Sequence, residues 1–318
     1  METSGSVLPT GIVLATGEKP GLVKISNRKP LDASGQICLA KMKVKQDQKY
    51  KPFLVIDGQH RLFGITMSSV IPYPVPVTIL LGAGKITQMA NFEIINNKAT
   101  RIASAHLNEL RAVMYKLSPD DDEKLKNLLG QLGVASLDSS GIVSELNGAG
   151  MAFDGILDFP SNHKMGFVSS TTLVQNVARS RETGFLHYLD EDDNVHLTSY
   201  NAMWAGMKAK FSKRWKKEVA LFKKFAEGDA AKSEARAGLR LLHSGSLAVL
   251  GSIADKELAS TSYRKKWLDD PDNVRELVEN GIFANMNEAF WDDPDLQVDN
   301  TGKGRTKLRE LVDAVLVP

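Results

Sequence analysis

The stretch PFLVIDGQHRLFGI, Pro52 to Ile65, carries four apolar residues straight into Asp57-Gly58-Gln59-His60-Arg61 and then into a second apolar run. A short apolar run closed by an Asp-Gly pair reads as a buried strand, and the residues from Leu62 to Ser69 read as a helix. Another apolar run, VTILL at Val77 to Leu81, follows. The unit is therefore strand, polar corner, helix, strand, with the polar groups gathered at a strand's C-terminal end.

Working outward, GIVLA, GLVKI and QICLAKMKV are also short apolar runs broken by Gly, Pro, Asn and Asp, so Gly11 to about Leu81 is expected to be sheet-rich. Pro72, Pro74 and Pro76 make the residues before VTILL a loop. After Gly84 the pattern turns helical, with Met89, Phe92, Ile95 and Ile102 at one-face spacing. Ser118, Pro119 and the acids from Asp120 to Glu123 predict a helix start, with negative charge at the positive end of its dipole. Gly141 to Pro160, rich in Gly, Ser and Asn, reads as a linker. Helices are expected beyond it in TLVQNVARS, from Tyr200 to about Ala226, in SEARAGLRLLHSGSLAVLGSIADKEL and in DDPDNVRELVENG. The fold class is thus α+β: a small sheet-rich domain over 1–112, a helix and linker over 113–160, and a mostly helical domain over 161–318.

The 318 residues are 42% hydrophobic and 25% charged, ordinary values for a globular chain with a sizeable core. A net charge of +2 means that a polyanionic partner must be met by a local patch. The lone Cys38 excludes an intrachain disulfide and a Cys-rich zinc site, which suits a reducing cytoplasm. No run of about 18 apolar residues occurs, so a cytoplasmic chain without a membrane partner is expected. His106, His163, His187, His196 and His243 follow no zinc-binding spacing, and TGKGRTK, Thr301 to Lys307, lacks the Walker spacing and reads as a helix approach.

DGQHR alone fits a surface turn. It fits an anion site as well. Gly58 permits a positive φ or close approach to a ligand, and a helix beginning at Gln59 or His60 aims unpaired amides and a positive dipole end at the same point. His60 and Arg61 add donors, Arg61 with a fork that matches phosphate oxygens.

DGQHR after a strand, followed by the F-x-x-I-N element Phe92-Glu93-Ile94-Ile95-Asn96, resembles the DGQHR-domain family. Its DndB-like and DpdB-like members belong to bacterial phosphorothioation and 7-deazaguanine DNA-modification systems. Further along, FDGILDFP and GFVSSTTLVQNV are also similar to that family. The family is similar in turn to the ParB and sulfiredoxin superfamily, which holds ATP or CTP phosphates with a Gly-x-His-Arg element at a helix start. The resemblance implies a small mixed sheet of ParB/sulfiredoxin type, and ATP or another nucleoside triphosphate, with Mg2+, as cofactor. It also implies that Gly58, His60 and Arg61 bind phosphate; in an ATP-hydrolysing protein of this kind Asp57 or Gln59 is expected to orient water or metal, with His60 beside them as the third catalytic candidate. Gln59 stands where sulfiredoxin has its catalytic cysteine, so thiol chemistry is not implied. Such domains carry a further strand-helix element upstream, which holds a carboxylate base in the serine kinase branch. This chain starts almost at its first strand, which implies a missing N-terminal segment and leaves hydrolysis open.

Two further stretches each admit two readings. In NFEIINNKATRI, the groups Asn96, Asn97, Lys98 and Arg101 are either a solvated helix end or reach back to the corner; on the family resemblance Asn96, Lys98 and Arg101 join the nucleotide site. NAMWAGMKAKFSKRWKKEVALFKKF puts Trp204, Met207, Phe211, Trp215, Val219 and Phe222 on one stripe, and eight basic residues largely on the rest against Glu218 alone. Those basic residues form a solvated face, or else a DNA-backbone tract through Lys208, Lys213, Arg214, Lys216 and Lys217. Two functions are consistent with these features. One is a nucleotide-binding, ATP-hydrolysing protein that assists a DNA-modifying enzyme in bacterial defence; the other is a DNA-binding regulator of such a system, without catalysis.

Overall fold

The computed structural model describes residues 11–16, 21–31, 38–47, 49–67, 75–99, 104–117, 137–162, 166–224, 238–260, 268–293, 296 and 298–316. The chain divides into two compact units, Met1–Arg101 and Ile102–Pro318. The class is α+β.

The first unit contains β1 (Ile12–Thr16), β2 (Val23–Pro30), β3 (Cys38–Val44), β4 (Phe53–Asp57), α1 (Gln59–Thr66), β5 (Val77–Leu80) and α2 (Lys85–Ala99). Each strand lies where an apolar run predicts one. Strand β1 is central in a mixed sheet of order β4-β1-β5, antiparallel to β4 and parallel to β5, whereas β2 and β3 form a separate antiparallel ribbon. Ile12 and Ala15 of β1 and Ile56 of β4 are buried. Val13 pairs with Asp57 but Leu14 pairs with Val55, so Ile56 is the extra residue of a bulge. A bulge sharpens local twist and re-aims the next side chain, here that of Asp57. Helix α1 starts at Gln59, as the anion-site reading of the corner expects and three residues before the apolar run from Leu62, because Gly58 adopts φ 93° and caps it directly after β4.

The second unit is helical: α3 (Ser104–Leu117), α4 (Leu137–Leu146), α5 (Ser170–Thr183), α6 (Asp193–Lys210), α7 (Ser212–Lys224), α8 (Ser244–Ser260), α9 (Pro271–Glu276) and α10 (Gly302–Leu316). It begins at Ile102, so α3 falls here and the division precedes the expected one at 112. The reading of Gly141 to Pro160 as a linker is overturned. The region opens inside α4, where Ser139, Ser140, Gly141, Ile142 and Val143 are buried, and continues through the core residues Phe153, Ile156, Leu157 and Phe159. A Cβ on Gly141 would fall on the Tyr115 ring of α3, so the small residues are there for close helix packing. The long helix expected from Tyr200 is two helices, interrupted at Phe211 with φ −109° and ψ 39°. TGKGRTK opens α10, the Thr301 hydroxyl accepting from the Gly304 N–H at 3.1 Å. The expected helix start at Ser118 to Glu123 lies outside the described residues. No helix among the described residues is long and apolar enough to cross a membrane.

Candidate functional site

The corner forms where β4 ends at Asp57 and α1 begins at Gln59. Gly58 is buried there, in the left-handed region. A Cβ at this position would stand 3.1 Å from Ile12 Cγ1 and 3.2 Å from Ile12 Cα, so both backbone conformation and space demand glycine. It contributes no capping side chain, and the first turn of any helix leaves its amides without intrahelical acceptors. Gln59 and His60 are exposed beside those amides.

Arg61 is used differently from the expectation. One guanidinium nitrogen donates to the Gly11 carbonyl at 2.6 Å, and the other donates to Asp57 Oδ2 at 2.5 Å. The Arg61 and Asp57 side chains are only 19% and 27% exposed, so the fork that was to hold phosphate instead ties the start of α1 to the ends of β1 and β4. Asp57, expected to orient water or metal, is Arg61's counter-ion. Arg61→Ala is therefore expected to cost about 1.5–3 kcal/mol of stability, the worth of hydrogen bonds to a charged group, and Arg61→Lys to recover only part of it because an ammonium cannot span both acceptors. Thermal unfolding of the three proteins checks this.

The other expected nucleotide contacts are not joined to the corner by described side chains. Asn96 and Lys98 lie within α2, but their side chains, and Arg101 altogether, are outside the described residues. Helix α2 supplies a group that periodicity did not single out: Glu93, inside the F-x-x-I-N element, is fully buried, and α2 packs on β4. Charged residues between two apolar ones are ordinarily assigned to solvent, which is why the pattern hid it.

The basic helix is largely committed to its own unit. Arg214 is 8% exposed, its Nε donating to Glu218 Oε1 at 2.5 Å and its Nη1 to Asp292 Oδ1 at 2.8 Å, so it cannot meet a DNA backbone as expected. Lys208 donates to the Ala152 carbonyl at 3.1 Å and lies 5.8 Å from the centre of the Trp215 ring. Lys217 donates to Asp292 Oδ1 at 3.1 Å. That hydrogen bond, together with Arg214, holds the Asp292 carboxyl below the usual carboxylate range. Of the five residues proposed for DNA, Lys213 and Lys216 are the exposed ones without a side-chain ion pair among the described residues. The aromatic stripe is as expected: Trp204, Met207, Phe211, Trp215 and Phe222 are buried, with Val219 half-buried against them.

No family model matches the chain, and no curated protein or solved structure matches it.

Proposed function

We propose that this chain is a DGQHR-domain protein whose first unit, of ParB/sulfiredoxin type, binds the phosphates of a nucleoside triphosphate at the Gly58 corner. The observation that carries the reading is the left-handed Gly58, packed against Ile12, which joins a strand directly to the first turn of a helix and so sets that turn's amides beside the exposed Gln59 and His60. Gly58 and the first-turn amides would cradle phosphate, and the exposed His60 and Gln59 would add side-chain donors. Arg61 would act by fixing the corner. ATP with Mg2+ is the cofactor the resemblance implies, and when bound it would supply the free energy for a DNA-modifying partner enzyme in a bacterial, cytoplasmic defence system. Asn96, Lys98 and Arg101 remain candidates for the rest of the nucleotide.

Calorimetry with ATP, CTP and GTP, with and without magnesium, tests the reading on the wild type and on His60→Ala. Loss of a hydrogen bond to a charged phosphate is expected to weaken binding roughly ten- to a hundredfold. Because His60 is exposed, the melting temperature should not move. Equal affinity of the two proteins, or no nucleotide binding by the wild type, would return the corner to a structural turn. A second reading, a DNA-binding regulator without catalysis, is favoured by one observation: Asp57 and Gly11 already occupy the Arg61 fork. Steady phosphate release from ATP supports the first reading, and salt-sensitive DNA binding without turnover supports the second.

A further inference from the structure

Among the described residues, the ribbon of β2 and β3 pairs with no third strand. Its register sorts the side chains by chemistry. Val23 stands opposite Val44 and Ile25 opposite Met42, while Lys24 stands opposite Lys43 and Ser26 opposite Lys41. Successive strand residues point to opposite faces, so one face is apolar and the other carries Lys24, Lys41 and Lys43. Lys45 extends the lysine face, its N–H continuing the ladder to the Leu22 carbonyl at 2.8 Å. Val23 and Ile25 are half-buried, their partners Met42 and Val44 are 45% and 42% exposed, and Lys24, Lys41, Lys43 and Lys45 are all exposed, so the lysine face is open to solvent and the apolar face is covered only along β2. A bulge between Ser26 and Lys29, with Asn27 at φ 52°, brings Arg28 and Lys29 to the far end.

Like charges directly opposite each other on a strand pair destabilise it. No carboxylate among the described residues forms an ion pair with any of these cations. Lysines do guard strand edges against aggregation, but that purpose needs charge anywhere along the edge. It does not need Lys24 against Lys43 on one face, and a two-stranded ribbon is marginal enough without such repulsion. A local rule broken without internal compensation marks a functional surface.

We propose that the β2–β3 ribbon is a DNA-binding arm whose lysine face meets the phosphates of a duplex. Two strands about 5 Å apart fit a major groove about 12 Å wide, which admits such ribbons. Phosphate oxygens relieve the Lys24–Lys43 repulsion and supply the anion that these lysines lack among the described residues. The assignment deepens the proposed function by naming the surface that contacts DNA, but it rests on the ribbon's own register and not on a nucleotide at the corner.

The test is fluorescence anisotropy of a short labelled duplex titrated with the full chain over a range of salt. The neutral triple variant Lys24→Gln, Lys41→Gln, Lys43→Gln is expected to lower the slope of log K against log salt by about 2.7, at about 0.9 per lost contact. Near 0.1 M salt that is a loss of about 500-fold. The same three positions changed to Arg should bind as the wild type does. Removing like charges should leave the melting temperature equal or higher, so unfolding does not mimic the result. The variant Lys213→Gln, Lys216→Gln, Lys217→Gln should keep the wild-type slope, and His60→Ala should keep the DNA isotherm whatever becomes of its ATP binding, which separates failure of the ribbon from failure of the corner. Absence of DNA binding by the wild type, an unchanged slope in the ribbon variant, or tighter binding to anionic phospholipid vesicles than to the duplex would each overturn the assignment.

Discussion

Glu218→Ala is expected to lower the stability of the helical unit by about 3–5 kcal/mol, the range found when one partner of a buried ion pair is removed. The residue is 1% exposed. Its Oε1 accepts from Arg214 Nε at 2.5 Å and from the backbone N–H groups of Arg240 and Leu241, each at 3.0 Å, and its Oε2 accepts from the Leu242 N–H at 2.8 Å. Truncation leaves the buried Arg214 guanidinium with Asp292 as its remaining carboxylate, its Nε unpaired, and strands three backbone donors at once, and each unsatisfied donor carries a desolvation cost. Glu218→Gln should lose nearly as much, since one acceptor oxygen becomes an NH2 group facing donors. The double variant Arg214→Met, Glu218→Leu distinguishes a simple ion pair from the hub described here. A simple pair is often replaced by apolar residues without loss, but the three amides of residues 240–242 would still lack an acceptor. Urea denaturation of the three variants measures this, and full recovery in the double variant would mean that the amides contribute little.

The Glu218 hub also explains why positive charge along the end of α6 and on α7 misleads as a sign of DNA contact. Eight basic residues against one acid is a count made along the sequence, whereas the balancing groups come from afar in it: Asp292 for Arg214 and Lys217, and the carbonyls of Ala152 and Ala284 for Lys208 and Lys210. Lysine stems over an aromatic seam, with their heads on carbonyls, are structural even when they look like a patch. On the β2–β3 ribbon the cations have no such partners among the described residues, and the difference between the two basic surfaces lies in that pairing.

What was legible in the sequence was local. The five strands, the Asp57–Gly58–Gln59 junction and the stripe from Trp204 to Phe222 all follow from short-range period and turn chemistry, which the chain carries residue by residue. The illegible features depend on contacts between distant segments. Arg61 finds the Gly11 carbonyl fifty residues away, which no pattern around DGQHR announces. Ser139, Ser140 and Gly141 have the composition of a linker, yet the same small side chains let α4 press against Tyr115. Small residues serve flexibility and close packing equally, and only the partner surface decides. The break at Phe211 is hidden for a related reason: the apolar stripe keeps its spacing through Trp215 although the backbone leaves the helix between them.

Trp204→Ala is expected to cost about 3–5 kcal/mol, as large aromatic truncations in cores do, because the void would be bounded by elements that cannot collapse into it. Trp204 is fully buried. Its ring meets Phe153 edge-on at 5.2 Å and 64°, and meets Tyr200 at 6.4 Å and 70°. A Cβ on Gly251 of α8 would stand 2.7 Å from Asn176 Nδ2 and 3.3 Å from Trp204 Cζ2, so the Asn176 amide and the indole edge share the place that this helix leaves open by having no side chain. Phe153 also packs on Trp215 at 5.5 Å, so a shift of Phe153 into the void would loosen α7 as well as α6. Trp204→Phe, which keeps a ring in contact with Phe153, should lose markedly less, and the exposed Lys216→Ala should stay within about 0.5 kcal/mol of the wild type. The measurement is the urea midpoint at constant slope, since a change of slope would signal a different unfolded or native ensemble rather than a cavity. A loss below about 1 kcal/mol for Trp204→Ala would mean that the α6–α8 contact repacks freely, against the close fit that the missing Cβ of Gly251 implies.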